Sequence, residues 1–226
     1  MTVSEQEIQR LQQELTEAIE KWDNPRGISI AKDALSRGVS PLDFMQEIIR
    51  PVMKNFGEAF ARLDIFLPDL MSAADVVKSM QTQVLEPAIR QEGRNNTNQG
   101  TVVIGTCFGD IHDIGKNMVA LMLQVNGFKV IDLGSNVSPQ AFLDAAHREQ
   151  ADIIALSSLL TPSLPYMKDL LKRLNGLGER EQYFVIAGGA ALSEEYSQRA
   201  GFDSYGEDAI AAVEICKNLM KQRKAA

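Results

Sequence analysis

The sequence predicts an α/β protein in two parts: a bundle of four helices, then a parallel sheet with helices on both faces. Three observations carry that prediction. Apolar residues recur at helical spacing through the first ninety positions. A polar stretch rich in Asn and Gly, residues 91–100, then breaks the pattern and reads as a linker. Beyond it, short apolar runs alternate with amphipathic segments, as strands buried on both faces and joined by helical crossovers require. The predicted division is therefore a helical domain 1–90, a linker 91–100 and an α/β domain 101–226.

Ser4 followed by Glu7 is a capping-box signal, and Ile8, Leu11, Leu15, Ile19 and Trp22 then form one apolar stripe. Asn24-Pro25 breaks this first helix. A second runs to Arg37, with Ala31, Ala34 and Leu35 facing inward and Gly38 as its stop. Ser40-Pro41 supplies the N-cap and first residue of a third helix. Its apolar positions are Leu42, Met45, Ile48, Ile49, Val52, Met53, Phe56 and Phe60, and Pro51, which lacks a donor, should kink it. Asp64-Ile65-Phe66 turns the chain, and Leu67-Pro68 opens a fourth helix to about Ile89. Short connections between four helices make a bundle. Pattern alone assigns Met71 and Met80 of the fourth helix to a core.

In the second part Thr101–Gly105, Phe128–Leu133, Asp152–Ser157 and Tyr183–Ala187 read as strands, with a weak fifth at Phe202–Ser204. Helices are expected near Ile114–Asn126, Pro139–Gln150, Leu164–Asn175 and Asp208–Lys221. Right-handed crossovers favour a flavodoxin-like (Rossmann-type) sheet of order 2-1-3-4-5. Ligands of such a sheet bind at the carboxyl ends of the strands, beside the switch point between strands one and three.

Composition narrows the function classes. The 226 residues carry a net charge of −7 with scattered basic residues, which argues against a nucleic-acid partner. The one basic cluster, Lys221-Gln222-Arg223-Lys224, is expected to complement the negative end of the last helix. Met1-Thr2-Val3-Ser4-Glu5 has no features of a signal peptide, and the longest nearly apolar run, Ile153 to Leu160, is far too short to span a membrane. Cys107 and Cys216, without CxxC spacing, read as packing residues in a reducing compartment. A cytoplasmic location is therefore expected.

The unusual residues converge on one rim. After strand one come Asp110-Ile111-His112 and Gly115; after strand three, Ser157 to Ser163; after strand four, Gly188-Gly189-Ala190. Of the two histidines, His147 falls near the end of a polar helix and reads as solvated. His112 follows a buried strand, and Asp110 can accept a hydrogen bond from one of its ring nitrogens, fixing its tautomer. The loop alone fits equally a helix cap by Asp110 or Asp113 beside an exposed His112. One histidine without a cysteine cluster cannot build a zinc site, so a metal here must bring its own ligands, as a macrocycle does. Gly115, Gly188 and Gly189 would leave room for a long ligand, although Gly188-Gly189 also fits a plain turn. Neither a Walker pattern nor GxGxxG is present.

Asp110-Ile111-His112-Asp113-Ile114-Gly115, then Ser157-Ser158-Leu159, then Gly188-Gly189 together resemble the cobalamin-binding signature of corrinoid proteins. Forty-one residues separate the first two elements and 28 the second pair. Phe66-Leu67-Pro68 and the helix carrying Met71 to Met80 look like the helical cap of methionine synthase's cobalamin module, so the resemblance spans nearly the whole chain. It implies that His112 replaces the benzimidazole as cobalt's lower ligand, that Asp110 hydrogen-bonds His112, and that Ser163 extends the relay. Ser157, Leu159 and Thr161 would line the tail pocket beside Ile111 and Ile114, with Gly115, Gly188, Gly189 and Ala190 making room. Phe60, Leu67, Leu70 and Met71 would cover the methyl face, which reverses the core reading of Met71.

The function implied is a methyl carrier of one-carbon metabolism, without catalytic activity of its own. Its partners would be a substrate-specific methyltransferase, a second methyltransferase with a pterin or thiol acceptor, and a corrinoid reductive activator. Nucleic acid and membrane are not among them. The alternative is a cobalamin-dependent sensor acting through a protein partner. The small subunit of an adenosylcobalamin mutase is a further rival that shares the loop motif but usually lacks the four-helix cap. A flavodoxin-like domain for another ligand would leave the Asp110–His112 pair unexplained.

Overall fold

Ser4 opens the first helix as its sequence position requires, its hydroxyl accepting the Glu7 N–H, and α1 runs Glu5–Glu20. The structure, a computed structural model, describes residues 4–92 and 99–225, which fall into two compact units. Residues 93–98 of the expected linker lie outside the described residues. Leu11, Leu15 and Ile19 are buried on the inner face of α1, whereas Trp22 is 59 % exposed. Trp22 thus departs from the stripe predicted for it. Its N–H bonds to the Ile19 carbonyl and that of Asp23 to the Ala18 carbonyl, so the helix closes before Trp22, which takes a left-handed φ of 56°.

Asp23 then accepts the Arg26 N–H and starts α2, Asn24–Ser36, which buries Ile30, Ala31 and Ala34. The third helix, α3, is continuous through Pro41–Asp43, Phe44–Ile49 and Arg50–Ala61. Pro51's expected disruption takes the form of a π-helical turn over Phe44–Ile49, in which Arg50 N–H reaches back to the Met45 carbonyl. The Glu47 carbonyl, four residues before Pro51, instead accepts Gln12 Nε2 of α1 at 2.6 Å. The lost helical bond becomes a tie between helices. The fourth helix, α4, comprises Leu67–Met80, a second π-helical turn Gln81–Leu85, and Glu86–Glu92. Asp69 in its first turn accepts the Phe66 N–H at 2.9 Å. Phe44, Ile48, Val76, Val77 and Met80 are fully buried with the α1 and α2 residues, so Met80 is core and Met71, 59 % exposed, is not.

The second unit alternates β1 (Thr101–Thr106), α5 (Ile114–Val125), β2 (Lys129–Asp132), α6 (Pro139–Glu149), β3 (Ile153–Ser157), α7 (Leu164–Leu177), β4 (Phe184–Gly188), α8 (Glu194–Ala200), β5 (Ser204–Gly206) and α9 (Ala209–Ala225). All pairings are parallel and the order is 2-1-3-4-5, as predicted. The period-2 alternation of side chains divides the core. Val103, Ile154, Leu156 and Val185 pack with Phe142, Leu143, Met167 and Leu170 of α6 and α7. On the other face Val102, Ile104, Ile153 and Ile186 meet Leu123, Val213, Cys216 and Leu219 of α5 and α9. Both cysteines are free and buried, and burial pushes each thiol up to about 12. Among the described residues no helix is long and apolar enough to cross a membrane.

Two features differ from the sequence reading. Helix α8 was not expected; Ser193 caps it by accepting the Tyr196 N–H, but it is short and buries only Ser197, so it carries no apolar stripe. The fifth strand lies two residues later than Phe202–Ser204, because Phe202 enters the core and the Asp203 carboxylate accepts the Val185 N–H at 2.6 Å.

The basic tail also acts differently. Arg223 donates to the Asp152 carbonyl and carboxylate and to the Gln182 carbonyl, tying α9 to the amino ends of β3 and β4. Arg223→Ala should therefore lower the unfolding free energy by about 1–2 kcal/mol. Lys221→Ala, at an exposed position, should change it by less than about 0.5 kcal/mol in the same urea titration. Equal losses in the two variants would contradict the tie.

Candidate functional site

The site is built where β1, β3 and β4 end. The Cys107 N–H donates to the Ser157 carbonyl at 3.0 Å and the Ser158 N–H to the Gly188 carbonyl at 3.0 Å, so the three loops leave the sheet stitched together. The first of them brings Asp110 back under the rim, where it is fully buried. Four N–H donors meet its carboxylate. Oδ1 takes the His112 N–H at 3.0 Å and stands 2.6 Å from His112 Nδ1; Oδ2 takes the Leu159 and Leu160 N–H groups at 2.6 and 3.0 Å.

Burial pushes the Asp110 carboxyl up, but the bonds from the His112 backbone, the His112 ring, Leu159 and Leu160 outweigh it and hold the group below its ordinary 3.8. Asp110 is thus a carboxylate at neutral pH. A carboxylate only accepts, so His112 Nδ1 carries the proton and Nε2 presents its lone pair. Among the described residues Nε2 has no hydrogen-bond or ion-pair partner, the ring side chain is 49 % exposed, and Thr106 Oγ1 donates to the His112 carbonyl at 2.9 Å. The helix-cap alternative does not hold, since Asp110 faces inward and Asp113, at the N-cap of α5, makes no side-chain cap bond.

Ser163 does not touch Asp110. Its hydroxyl pairs with Ser158 Oγ, one of the two donating to the other and the acceptor of that bond donating to the Leu160 carbonyl. The contact expected of Ser163 therefore falls on Leu160, the residue whose N–H Asp110 accepts, and on its carbonyl, which lies in the next peptide unit. Both serine side chains are spent on holding the β3 loop in place. Ser157 is half-buried at the end of β3, and Ile111, Leu159, Thr161 and Ala190 are exposed along the rim.

The glycines separate into two kinds. A Cβ on Gly115 would meet nothing within 4 Å, which leaves space above the first turn of α5. Gly188 and Gly189 answer first to the protein's own backbone, since a Cβ on Gly188 would come 2.8 Å from the Gly206 carbonyl oxygen. On Gly189, with φ 107°, it would come 2.1 Å from the Ser158 carbonyl oxygen. The space they were expected to leave for a ligand is taken up by neighbouring main chain.

Sequence reasoning missed Thr106, Ser158 and Asn136, whose roles depend on which loops the sheet brings together. It also missed an edge-on aromatic pair at the rim, Phe108 and Tyr166, with centroids 4.8 Å apart. Phe60, Leu67, Leu70 and Met71 stand at the end of α3 and the start of α4; Leu67 and Met71 are exposed and the other two half-buried. His147 pairs with Glu179 at 2.7 Å beside an open depression of about 470 Å³ at the opposite edge of the sheet, away from the rim.

Among the described residues no group of three or more His, Cys, Asp or Glu side chains converges on a metal position. A single outward Nε2, fixed in its tautomer by a buried carboxylate, suits a metal that arrives with its other ligands already in place.

Comparison with known proteins agrees with that donor set. Residues 100–214 match a family described as the B12 binding domain, and residues 11–82 match a second B12 binding domain family. A trimethylamine corrinoid protein of Methanosarcina mazei is 33 % identical over 90 % of this chain and 93 % of its own. A corrinoid protein of Desulfitobacterium hafniense is 33 % identical over 94 % of this chain and 99 % of its own. The structure of a Methanosarcina barkeri monomethylamine corrinoid protein superposes with a TM-score of 0.84 at 29 % identity, covering 93 % of this chain and 99 % of that one.

Two substitutions test the geometry. Gly189→Ala should destabilise the protein by roughly 3 kcal/mol or more, because both the left-handed backbone and the Ser158 carbonyl oppose a side chain. Asp110→Asn turns an amide toward N–H donors and should cost roughly 2–4 kcal/mol at neutral pH. Asp110's charge-linked stabilisation is complete above 3.8 and is lost as pH falls through its lower folded value. The gap between Asp110→Asn and the unmutated protein in urea titrations should therefore narrow across that acid window. A gap that widens there would contradict the ionised carboxylate.

Proposed function

The chain belongs to the B12-binding corrinoid proteins, and on that premise we propose that it carries a methyl group on cobalt between two methyltransferases. The observation that carries the reading is the outward Nε2 of His112, backed by the buried Asp110 carboxylate, in a chain whose two parts both match B12 binding domains. Bound cobalamin supplies a cobalt that accepts and releases a methyl group.

The chain's own residues do the rest. His112 Nε2 would be the protein's ligand to cobalt, and Asp110 keeps the proton on Nδ1 so that Nε2 remains a donor of electrons. Ile111, Ile114, Gly115, Ser157, Leu159, Thr161, Gly188, Gly189 and Ala190 surround the lower side, with Ser163 holding the loop that lines it. Phe60, Leu67, Leu70 and Met71 of the helical part would be the residues that shield the methylated cofactor from water.

The partners we propose are a substrate-specific methyltransferase, a second methyltransferase whose acceptor is a pterin or a thiol, and a reductive activator that restores cobalt. The likeness to trimethylamine and monomethylamine corrinoid proteins supports a methylated amine as the first donor to test. The role belongs to one-carbon metabolism in the cytoplasm.

Protein reconstituted with cobalamin should show a base-off spectrum with histidine-ligated cobalt, and His112→Ala should lose that ligation. A benzimidazole-ligated spectrum in the unmutated protein would refute the site. With cobalt reduced, a methylated amine and a methyltransferase encoded beside this gene should methylate the protein, read from the absorbance of the methylated cofactor. Failure with every neighbouring methyltransferase would favour the sensor.

A further inference from the structure

We infer that Asn136, in the loop after β2, is a positioning residue that clamps the histidine loop from the side opposite Leu159 and Leu160. The inference rests on the reading of His112 as the cobalt ligand and adds a residue to that site. Asn136 grips two consecutive residues. Its Oδ1 accepts the Gly109 N–H at 2.9 Å, and its own N–H donates to the Asp110 carbonyl at 2.9 Å. The peptides on either side of the Gly109–Asp110 unit are thereby held, the N–H of that unit donates to the Cys107 carbonyl at 3.1 Å, and together these bonds set where the Asp110 carboxylate points. Gly109 itself has φ 84° and no heavy atom within 4 Å of the Cβ it lacks, so packing does not fix it. Hydrogen bonding must do so.

The residue type matches the task. Asn136 adopts a left-handed φ of 56°, which Asn tolerates better than other side chains, and its amide oxygen is free to accept. The clamp also has a firm base. The Val137 N–H donates to the Thr106 carbonyl and the Thr106 N–H to the Gly134 carbonyl, both at 2.9 Å. One turn earlier Asp132 accepts the Gly134 N–H and receives Lys116 Nζ at 2.5 and 2.6 Å, with the Lys116 side chain only 1 % exposed. Lys116 lies in the first turn of α5, four residues after His112. The loop Asp132–Val137 therefore braces the histidine loop on its approach, through Asn136, and on its departure, through Lys116.

The test uses Asn136→Gly, which relieves the left-handed backbone while deleting the acceptor, and Asn136→Asp, which keeps an acceptor in place. In the cofactor-free protein, amide exchange at Gly109 should be about tenfold faster in Asn136→Gly than in the unmutated protein and near normal in Asn136→Asp. In the cobalt(II) form, the nitrogen splitting of the electron paramagnetic resonance spectrum should weaken in Asn136→Gly at unchanged cobalamin content and return in Asn136→Asp. Unmutated-protein exchange and full splitting in Asn136→Gly would overturn the inference. Absence of nitrogen splitting in the unmutated protein would instead overturn the histidine ligand, and the Gly109 exchange would still decide whether the clamp exists.

Discussion

The constraint on which the rest of this structure depends is the burial of one ionised carboxylate. An unpaired charge in a protein interior costs several kcal/mol, so Asp110 can stay charged only if donors surround it. The chain supplies four, and they come from two loops: the backbone and ring of His112 on one side, the Leu159 and Leu160 amides on the other. Satisfying Asp110 therefore fixes the relative position of the β1 and β3 loops. It also dictates the imidazole tautomer, because a carboxylate has no proton to give.

Around that carboxylate the backbone is packed too closely for ordinary residues. The β4 loop passes so near the Ser158 carbonyl that only glycine fits at 189, and Ser158 and Ser163 use their hydroxyls to hold the carbonyl of Leu160, the residue whose N–H Asp110 accepts. The glycine pair of the signature thus has a role before any ligand arrives. It lets β4, the β3 loop and β5 approach one another. Gly115 is different, since open space surrounds its missing side chain.

The sheet order was legible in the sequence because apolar runs of strand length separated by amphipathic helices admit few right-handed topologies. The rim was legible for the same reason: residues at the ends of strands one, three and four must meet there. What escaped the sequence were features set by hydrogen bonds across loops. Trp22 continued the helical period of α1 and yet fell beyond it, because the closing backbone bonds to Ala18 and Ile19 end the helix first. Helix α8 had no stripe to announce it. Ser163 was given a bond to Asp110 that the geometry hands to Leu160, and Asn136 was overlooked in a turn whose sequence, Gly134-Ser135-Asn136, looks like any other. Pro51 was seen as a defect; the compensating Gln12 bond to Glu47 could be foreseen only with α1 and α3 already packed together.

If His112 is the one protein ligand to cobalt, as proposed, it faces a particular difficulty, because a lone imidazole is held by nothing but its surroundings. Three layers address this here. Nδ1 is tied to Asp110, Asp110 is tied to the β3 loop, and the residue before it, Gly109, is tied to Asn136. Each layer lies on a different strand end, so a displacement of any one is felt at the imidazole. With His112 Nε2 on cobalt, changes of ligation would be transmitted outward along the same bonds, first to the carboxylate and then to the Leu159–Leu160 amides. A rigid surround of this kind favours one ligand geometry over others. On the carrier reading proposed above, the choice of methyl donor and acceptor would fall to surfaces outside the Asp110–His112 pair, as a carrier serving two unlike partners through one cobalt would need.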